Sequence, residues 1–510
     1  MPNNNTSSDL RLHKTSHPVI YEINIRVLLN ELSAAKGKRI TLDKIPDELV
    51  NEWANLGIDA VWLMGVWGSG AIGLQEAKNH HGLQEEFRRV LPDVTDDDIQ
   101  SSPYAVQSYC VADALGGTSA LLSLRKKLAK KGIGLILDYV PNHTARDHEW
   151  VFNHPEYYIH GHDGQEIENQ VRYFRTETVG GEQTLAFGRD PYFPGWTDTA
   201  KLNPCHPETR KAMIETLKVI STMCDGVRCD MAMLVLNEVF LKTWEEQSKA
   251  IDVEPVESEF WADAIAATRA LKPDFLFIAE AYWNLEWPLQ QLGFNFTYDK
   301  TLYDRLLKEG ASSVRQHLTA EGLYQTRSAR FVENHDEPRV AQALPNEPWH
   351  FAAVTVAATV PGMFLLHEGQ LDGRKKKLPV QLGRRPSEEK NNVTRTFYEK
   401  LLSTIDNDVI KKGEWQLLNV RPAWNDNYSS QNIIAYTWKK GADFWLIVVN
   451  YAPLNSQGYV ELDFEKTKST SLEFRDLIGP AVYVRNADGV RSKGMYFDLP
   501  GYGMHVFDVR

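Results

Sequence analysis

Arg228 and Asp230 stand two residues apart in Gly226-Val227-Arg228-Cys229-Asp230, directly after an apolar run. In an extended chain residues i and i+2 point to the same side. The guanidinium would then lie against the carboxylate and favour its ionised form. An ionised, desolvated carboxylate is the kind of group that attacks a sugar carbon. A surface ion pair is the plainer reading of Arg-x-Asp alone, but three further stretches give it company: Asp138 with Asn142 and His143, then Glu280, then His335 with Asp336. Taken singly, Asp138 reads as a barrel-floor hydrogen bonder, His335 as a satisfied core histidine and Glu280 as a helix N-cap partner. Three acids and two histidines, each closing an apolar segment, point instead to a shared mouth.

The elements that must position these residues alternate. Residues 19–28 read as a first strand, 45–56 as a helix and 57–63 as a second, buried strand. Thr118 opens an amphipathic helix with Leu121, Leu122, Leu124 and Leu128, closed by lysines and Gly132. The third strand, 132–140, is apolar on both sides, as parallel strands usually are. The rhythm then breaks: the 92 residues from Asp138 to Asp230 are too many for one strand–helix unit. Residues 145–201, rich in His, Gly, Asp and aromatics, read as a loop-rich insertion. A helix over 207–223 leads to the strand ending at Asp230. Beyond it come a helix at 257–271, strands at 275–280 and 294–296, a helix at 300–308, a seventh strand ending at Asn334, a helix at 350–360 and an eighth strand at 362–366.

Eight strands alternating with helices favour a (β/α)8 TIM barrel over an open sheet. From Gly413 onward short alternating strands, 433–438, 444–451, 460–464 and 504–509, read as an all-β sandwich. The α/β chain therefore divides into a barrel of residues 1–144 and 202–412, an inserted domain of 145–201 and a C-terminal domain of 413–510.

Composition narrows the partners. The 510 residues are 43% hydrophobic, enough for a large core and more than one domain. A net charge of -12 argues against nucleic acid, which wants a basic footprint. The 11% of aromatic residues offer flat faces to sugar rings, though core packing accounts for most of them equally well. Cys110, Cys205, Cys224 and Cys229 follow no ligand spacing and read as reduced. Residues 1–17 hold no apolar run, and no stretch reaches the length of a membrane span. The expectation is a cytoplasmic protein acting on a small molecule or oligosaccharide, with no membrane partner and an oligomeric state that composition does not specify.

Four stretches carry a resemblance: Leu137 to His143, Gly226 to Asp230, Ile278-Ala279-Glu280 and Phe331 to Asp336. In order and spacing they resemble the signature regions of the alpha-amylase family, glycoside hydrolase family 13. Ala200-Lys201-Leu202-Asn203 is similar to the family's fifth region in its neopullulanase-like form. The resemblance, covering roughly Val19 to Arg510, implies a barrel with an inserted domain B and a β-domain C. It implies Asp230 as nucleophile, Glu280 as general acid/base and Asp336 as transition-state stabiliser. Asp138, His143, Arg228 and His335 would bind or orient in the subsite where the bond breaks, and Tyr104 resembles the family's stacking tyrosine. Asn142 matches a position that ligates calcium in many members. An oxygen cage needs six or more ligands, and the sequence names no others; no cofactor is otherwise required.

Two features depart from the pattern. A Lys-His pair follows the nucleophile in many members, and Met233 and Leu234 stand there instead. The run Arg374-Lys375-Lys376-Lys377, with Arg384 and Arg385, reads either as a solvated loop or as an anion site of a phosphorolytic enzyme. The implied activity is a retaining alpha-glucosidic hydrolase of short alpha-glucans or small alpha-glucosides. The alternatives are a transglycosylase or sugar phosphorylase on the same fold, and, from another class, a non-catalytic amylase-like binding module, which would be expected to have lost its acids.

Overall fold

A computed structural model describes residues 10–162, 172–244, 257–463 and 470–510. Eight parallel strands close into a barrel: β1 (Val19–Asn24), β2 (Ala60–Met64), β3 (Gly134–Tyr139), β4 (Gly226–Cys229), β5 (Leu276–Ala279), β6 (Phe296–Tyr298), β7 (Ser328–Arg330) and β8 (Met363–His367). Each pairs with the next in the chain, and β8 pairs back onto β1. Nearly every strand residue is buried, the pattern of parallel strands with side chains inside and helices outside.

Several boundaries shift for local reasons. The first strand stops at Asn24 rather than running to residue 28, because the Asn24 side chain accepts from the Val27 N–H and starts a helix over Ile25–Lys36. That helix ends on Gly37 at φ 62°, the left-handed conformation glycine adopts at no steric cost. The seventh strand stops at Arg330, not Asn334. Asn334 Oδ1 accepts from the N–H groups of Asp336 (2.9 Å) and Glu337 (3.0 Å), folding the signature into a turn instead of a strand. Helices over Ala71–Asn79, His81–Val90 and Asn392–Ile405, none anticipated from the sequence, complete the layer around the barrel and its loops.

The insertion leaves after β3 and returns before the Pro207–Met223 helix. Its base is a short antiparallel pair, His143–Ala145 with Thr199–Lys201, in which His143 faces Lys201. A hairpin of Tyr173–Thr178 and Gly181–Ala186 lies above. The C-terminal domain packs a six-stranded antiparallel sheet against a three-stranded one, with Leu446, Phe474, Phe497 and Phe507 in the core between them. The strand read over 460–464 lies at Ser456–Val460 instead, and residue 464 falls outside the described residues. Trp438 Nε1 donates to Thr359 O at 2.7 Å and Tyr451 Oη to Leu306 O at 2.5 Å, tying this domain to the barrel. Among the described residues no helix is long and apolar enough to cross a membrane.

Candidate active site

The strand register builds the site. Arg228 on β4 lies beside Asp138 on β3 and Ile278 on β5. Asp230 therefore emerges one step above the barrel, next to Glu280, which follows the last residue of β5. Arg228 is fully buried. Its Nη1 donates to Asp230 Oδ1 at 2.6 Å, and its Nη2 lies 2.8 Å from Glu280 Oε2. The rings of Tyr104, Trp62 and Tyr298 lie 5.1, 5.2 and 5.7 Å from the guanidinium carbon. Burial alone would lower the Arg228 pKa. The surrounding carboxylates carry it well above its ordinary value, so the residue stays charged.

Glu280 is held from two further sides: the Met231 N–H donates to Oε2 at 2.6 Å and the Tyr282 hydroxyl to Oε1 at 2.9 Å. Burial pushes its carboxyl up to about 7, aided by the Asp230 and Asp336 charges and opposed by Arg228. Such a group can hold a proton for a leaving oxygen at neutral pH.

Asp336 stands at the rim with its side chain 47% exposed, and its Oδ2 lies 3.0 Å from His335 Nε2. Enclosure in the cleft works to raise its pKa, and the neighbouring imidazolium overrides this and holds it well below the carboxylate range. His335 in turn pairs through Nδ1 with the fully buried Glu22 on β1. Burial disfavours the imidazolium, but Asp336 and Glu22 together raise its pKa to about 10. The Tyr104 hydroxyl lies 2.8 Å from His335 Nε2, with the two rings stacked at 5.3 Å.

Asp138 accepts from Trp62 Nε1 at 3.1 Å, and burial raises its carboxyl to about 7 despite Arg228 at 3.7 Å. Its Oδ1, the oxygen nearest Arg228, is buried without a hydrogen-bond partner. His143 is kept neutral, its pKa lowered to about 4 by burial. Asn142 Nδ2 lies 3.2 Å from His143 Nδ1, which places an acceptor at Nδ1 and the ring proton at Nε2.

Tyr104, His143, Asp230, Glu280 and Asp336 thus line one cleft of about 520 Å³, and Phe193, Trp196, Tyr282, Asp190 and Asp198 are among the residues of its walls. Arg228, Asp138 and His335 lie directly behind. Sequence reasoning missed Glu22, Trp62 and Tyr282. A charged residue inside an otherwise apolar strand was the available signal for Glu22, and nothing marked the two aromatics.

Asn142 does not fit a calcium ligand. Lys201 Nζ donates to its Oδ1 at 2.5 Å and to its backbone carbonyl at 3.2 Å. Lys201 is fully buried, with the Phe240 ring 5.1 Å from its nitrogen, and burial lowers its pKa to about 7. The lysine occupies the oxygens a hard cation would need. Among the described residues no group of three or more His, Cys, Asp or Glu is disposed to hold a metal.

Met233 and Leu234 are buried in a 3-10 turn over Ala232–Val235 and pack into the core. They present nothing to the cleft. Of the basic residues, Arg384 pairs with Asp98 and Asp93, Arg385 with Glu368 and Glu31, and Lys377 with the Asp336 carbonyl, while Arg374 Nε is buried without a hydrogen-bond partner.

Comparison with known proteins bears on the family and the fold. The chain is 23% identical over 391 residues to "Alpha-amylase 3" of Dictyoglomus thermophilum, covering 72% of this chain and 66% of that protein. It is 23% identical over 485 residues to "Alpha-amylase MalA" of Haloarcula japonica, covering 92% and 61%. It thus spans less than two thirds of either relative's length. The crystal structure of the noncanonic maltogenic alpha-amylase AmyB from Thermotoga neapolitana superposes with a TM-score of 0.66 at 20% identity, covering 96% of this chain and 98% of that one. The family model of the alpha amylase catalytic domain matches residues 53–417, well over half of the chain, which therefore belongs to the alpha-amylase family.

Proposed function

We propose that this chain is a retaining alpha-glucosidic glycoside hydrolase of short alpha-glucans or small alpha-glucosides, working through an aspartyl glucosyl-enzyme intermediate. The observation that carries the reading is the Arg228 guanidinium, which reaches Asp230 through one nitrogen and Glu280 through the other. A single tether on both carboxyls supports the close spacing of about 5–5.5 Å that direct attack uses, rather than the roughly 6.5–9.5 Å that admits a water between them.

In the first step an Asp230 oxygen bonds to the anomeric carbon as the glycosidic C–O bond breaks, and Glu280 gives its proton to the departing oxygen. The Glu280 carboxylate then takes a proton from water, whose oxygen displaces Asp230 from the sugar. Asp336 and the Nε2–H of His143 grip hydroxyls that shift as the ring flattens, binding the transition state more tightly than the ground state. Asp138 and His335 set the floor beneath. The maltogenic name of the Thermotoga protein suits a preference for short products, as does the absence of polar side chains at Met233 and Leu234.

Arg384 and Arg385, each already paired with two carboxylates, lend the phosphorolytic alternative no support. Glucosyl transfer to a sugar acceptor uses the same first step and is the second reading; the aromatic rim of the cleft favours it. Proton NMR of the first product released from a maltooligosaccharide tests the mechanism. An α-configured product is expected, and a β-configured one would overturn it.

A further inference from the structure

Glu22 is a carboxyl to which the mechanism above gives no task. It follows Ile20 by two residues on β1, on the side that faces the barrel interior with Trp62, Ile136 and Tyr298. Its side chain is fully buried, and among the described residues no lysine or arginine pairs with it. Stripping water from a carboxylate is costly unless a partner restores the lost interactions. The partner here is His335: Glu22 Oε1 lies 2.5 Å from Nδ1, while Oε2 is buried with no hydrogen bond.

The imidazole is engaged at both ends. Nε2 lies 3.0 Å from Asp336 Oδ2 and 2.8 Å from the Tyr104 hydroxyl. A neutral ring carries one N–H, so it would turn a lone pair toward one of the two carboxylates; only the imidazolium donates to both. The ring is boxed in this orientation, stacked on Tyr104 at 5.3 Å and meeting Trp62 edge-on at 5.6 Å.

Other groups reach this pair from around the barrel. Asp138 on β3 acts on the ring, Tyr298 on β6 acts on Glu22, and His367 on β8 acts on both. Arg228 and Lys377 act on Asp336. Burial, with help from Arg339, lowers the His367 pKa to about 3, so that ring stays neutral and adds no second positive charge.

We propose that Glu22 is a positioning residue for the glycosidic reaction: by pairing with Nδ1 it keeps His335 doubly protonated, so that the Nε2–H orients Asp336 and offsets its charge as the sugar ring distorts. The inference rests on the hydrolase reading above. Glu22 itself touches no substrate and acts from beneath the mouth through His335. A glutamine in its place could still hold Nδ1 by a hydrogen bond, but it would leave the ring free to be neutral. The carboxylate is therefore needed for its charge, and a hydrogen bond between ionised partners is roughly twice as strong as a neutral one.

Glu22→Gln separates charge from packing, because the amide keeps the shape. In this variant His335 should lose its proton within the neutral range. Relative to the parent at the same pH, kcat on maltotriose should be close to unchanged at about pH 5.5 and lowered about tenfold at about pH 8.5, with KM little altered. Taking the ratio at each pH removes the titrations of Glu280 and Asp138 that both proteins share. Glu22→Asp should restore most of the loss. A loss of equal size at every pH, or none, would show that the carboxylate charge does not act through His335 and would overturn the proposal. Nitrogen NMR of the parent protein, labelled in its histidine rings, reads the proton without any variant at Glu22. At about pH 8.5 one histidine should carry protons on both ring nitrogens, and His335→Asn should remove that signal. If the parent shows no doubly protonated histidine there, the proposal fails. An inactive parent that still shows the signal would sink the hydrolase reading and leave the pairing of Glu22 with an imidazolium established.

Discussion

The Met231 N–H donates to Glu280 Oε2 at 2.6 Å, from a residue held in the left-handed region at φ 43°. The residue after the proposed nucleophile thus aims the proposed acid. The turn out of β4 is bent into a conformation side chains disfavour, and the Ala232 N–H donates to the Glu280 carbonyl at 3.0 Å in the same turn. Met231→Val, β-branched at positive φ, should destabilise by about 1–3 kcal/mol and lower kcat. Met231→Gly should keep both near the parent values. Chemical denaturation with steady-state kinetics on both variants checks this, and a stable, active Val variant would show that the turn carries no strain.

The two carboxyls should fail differently. Asp230→Asn should nearly abolish activity on every substrate. Glu280→Gln should retain far more activity on aryl glucosides, whose leaving groups need no proton, than on maltooligosaccharides. Equal losses on the aryl substrate would mean that the roles are misassigned.

Glu280 titrates at about 7 because burial and the nearby acids disfavour its anion. The general acid is lost as pH rises through that value, so kcat/KM should fall above about pH 7. The same shift bears on folding. A carboxyl whose folded pKa lies above its unfolded value of about 4.3 supports stability most fully at low pH, and that support is lost between about pH 4.3 and 7. Glu280→Gln removes the dependence. Its Tm relative to the parent should therefore rise from pH 5 to pH 8, a trend that paired calorimetric scans would reveal or exclude.

Lys201 should serve where the resemblance suggested calcium. Lys201→Met leaves the buried Asn142 oxygen unpaired and should cost about 1–3 kcal/mol, whereas chelator treatment of the parent protein should leave its Tm unchanged. A chelator-induced drop restored by calcium would show that a metal binds after all.

Maltotriose should be preferred over soluble starch in kcat/KM. Met233 and Leu234 provide no charged or bidentate contact to a long chain, a contact worth about 1.5–3 kcal/mol where it exists. A clear preference for starch with internal cleavage would overturn the short-substrate reading.

Much of this was legible in the chain. Strand ends such as Asp138, Asp230 and Glu280 could be read because an apolar run closed by a charge is a local pattern, and a barrel puts every strand's C-terminal end on one face. Periodicity likewise marked the helices over Pro207–Met223 and Lys300–Lys308 to the residue. Where a side chain competed with the backbone, the reading slipped: the Asn24 cap and the Asn334 turn each ended a strand early.

Long-range meetings lay outside what local pattern can carry. Glu22 and His335 stand 313 positions apart, and no spacing rule joins them; only closure of β8 onto β1 brings that carboxylate under that ring. Lys201 meets Asn142 because the insertion returns to its own base. The sequence by itself determined which chemistry was available and which elements would carry it. The tertiary structure decided which groups share a proton or a cation, because those depend on distances of a few ångströms set by strand register and chain return.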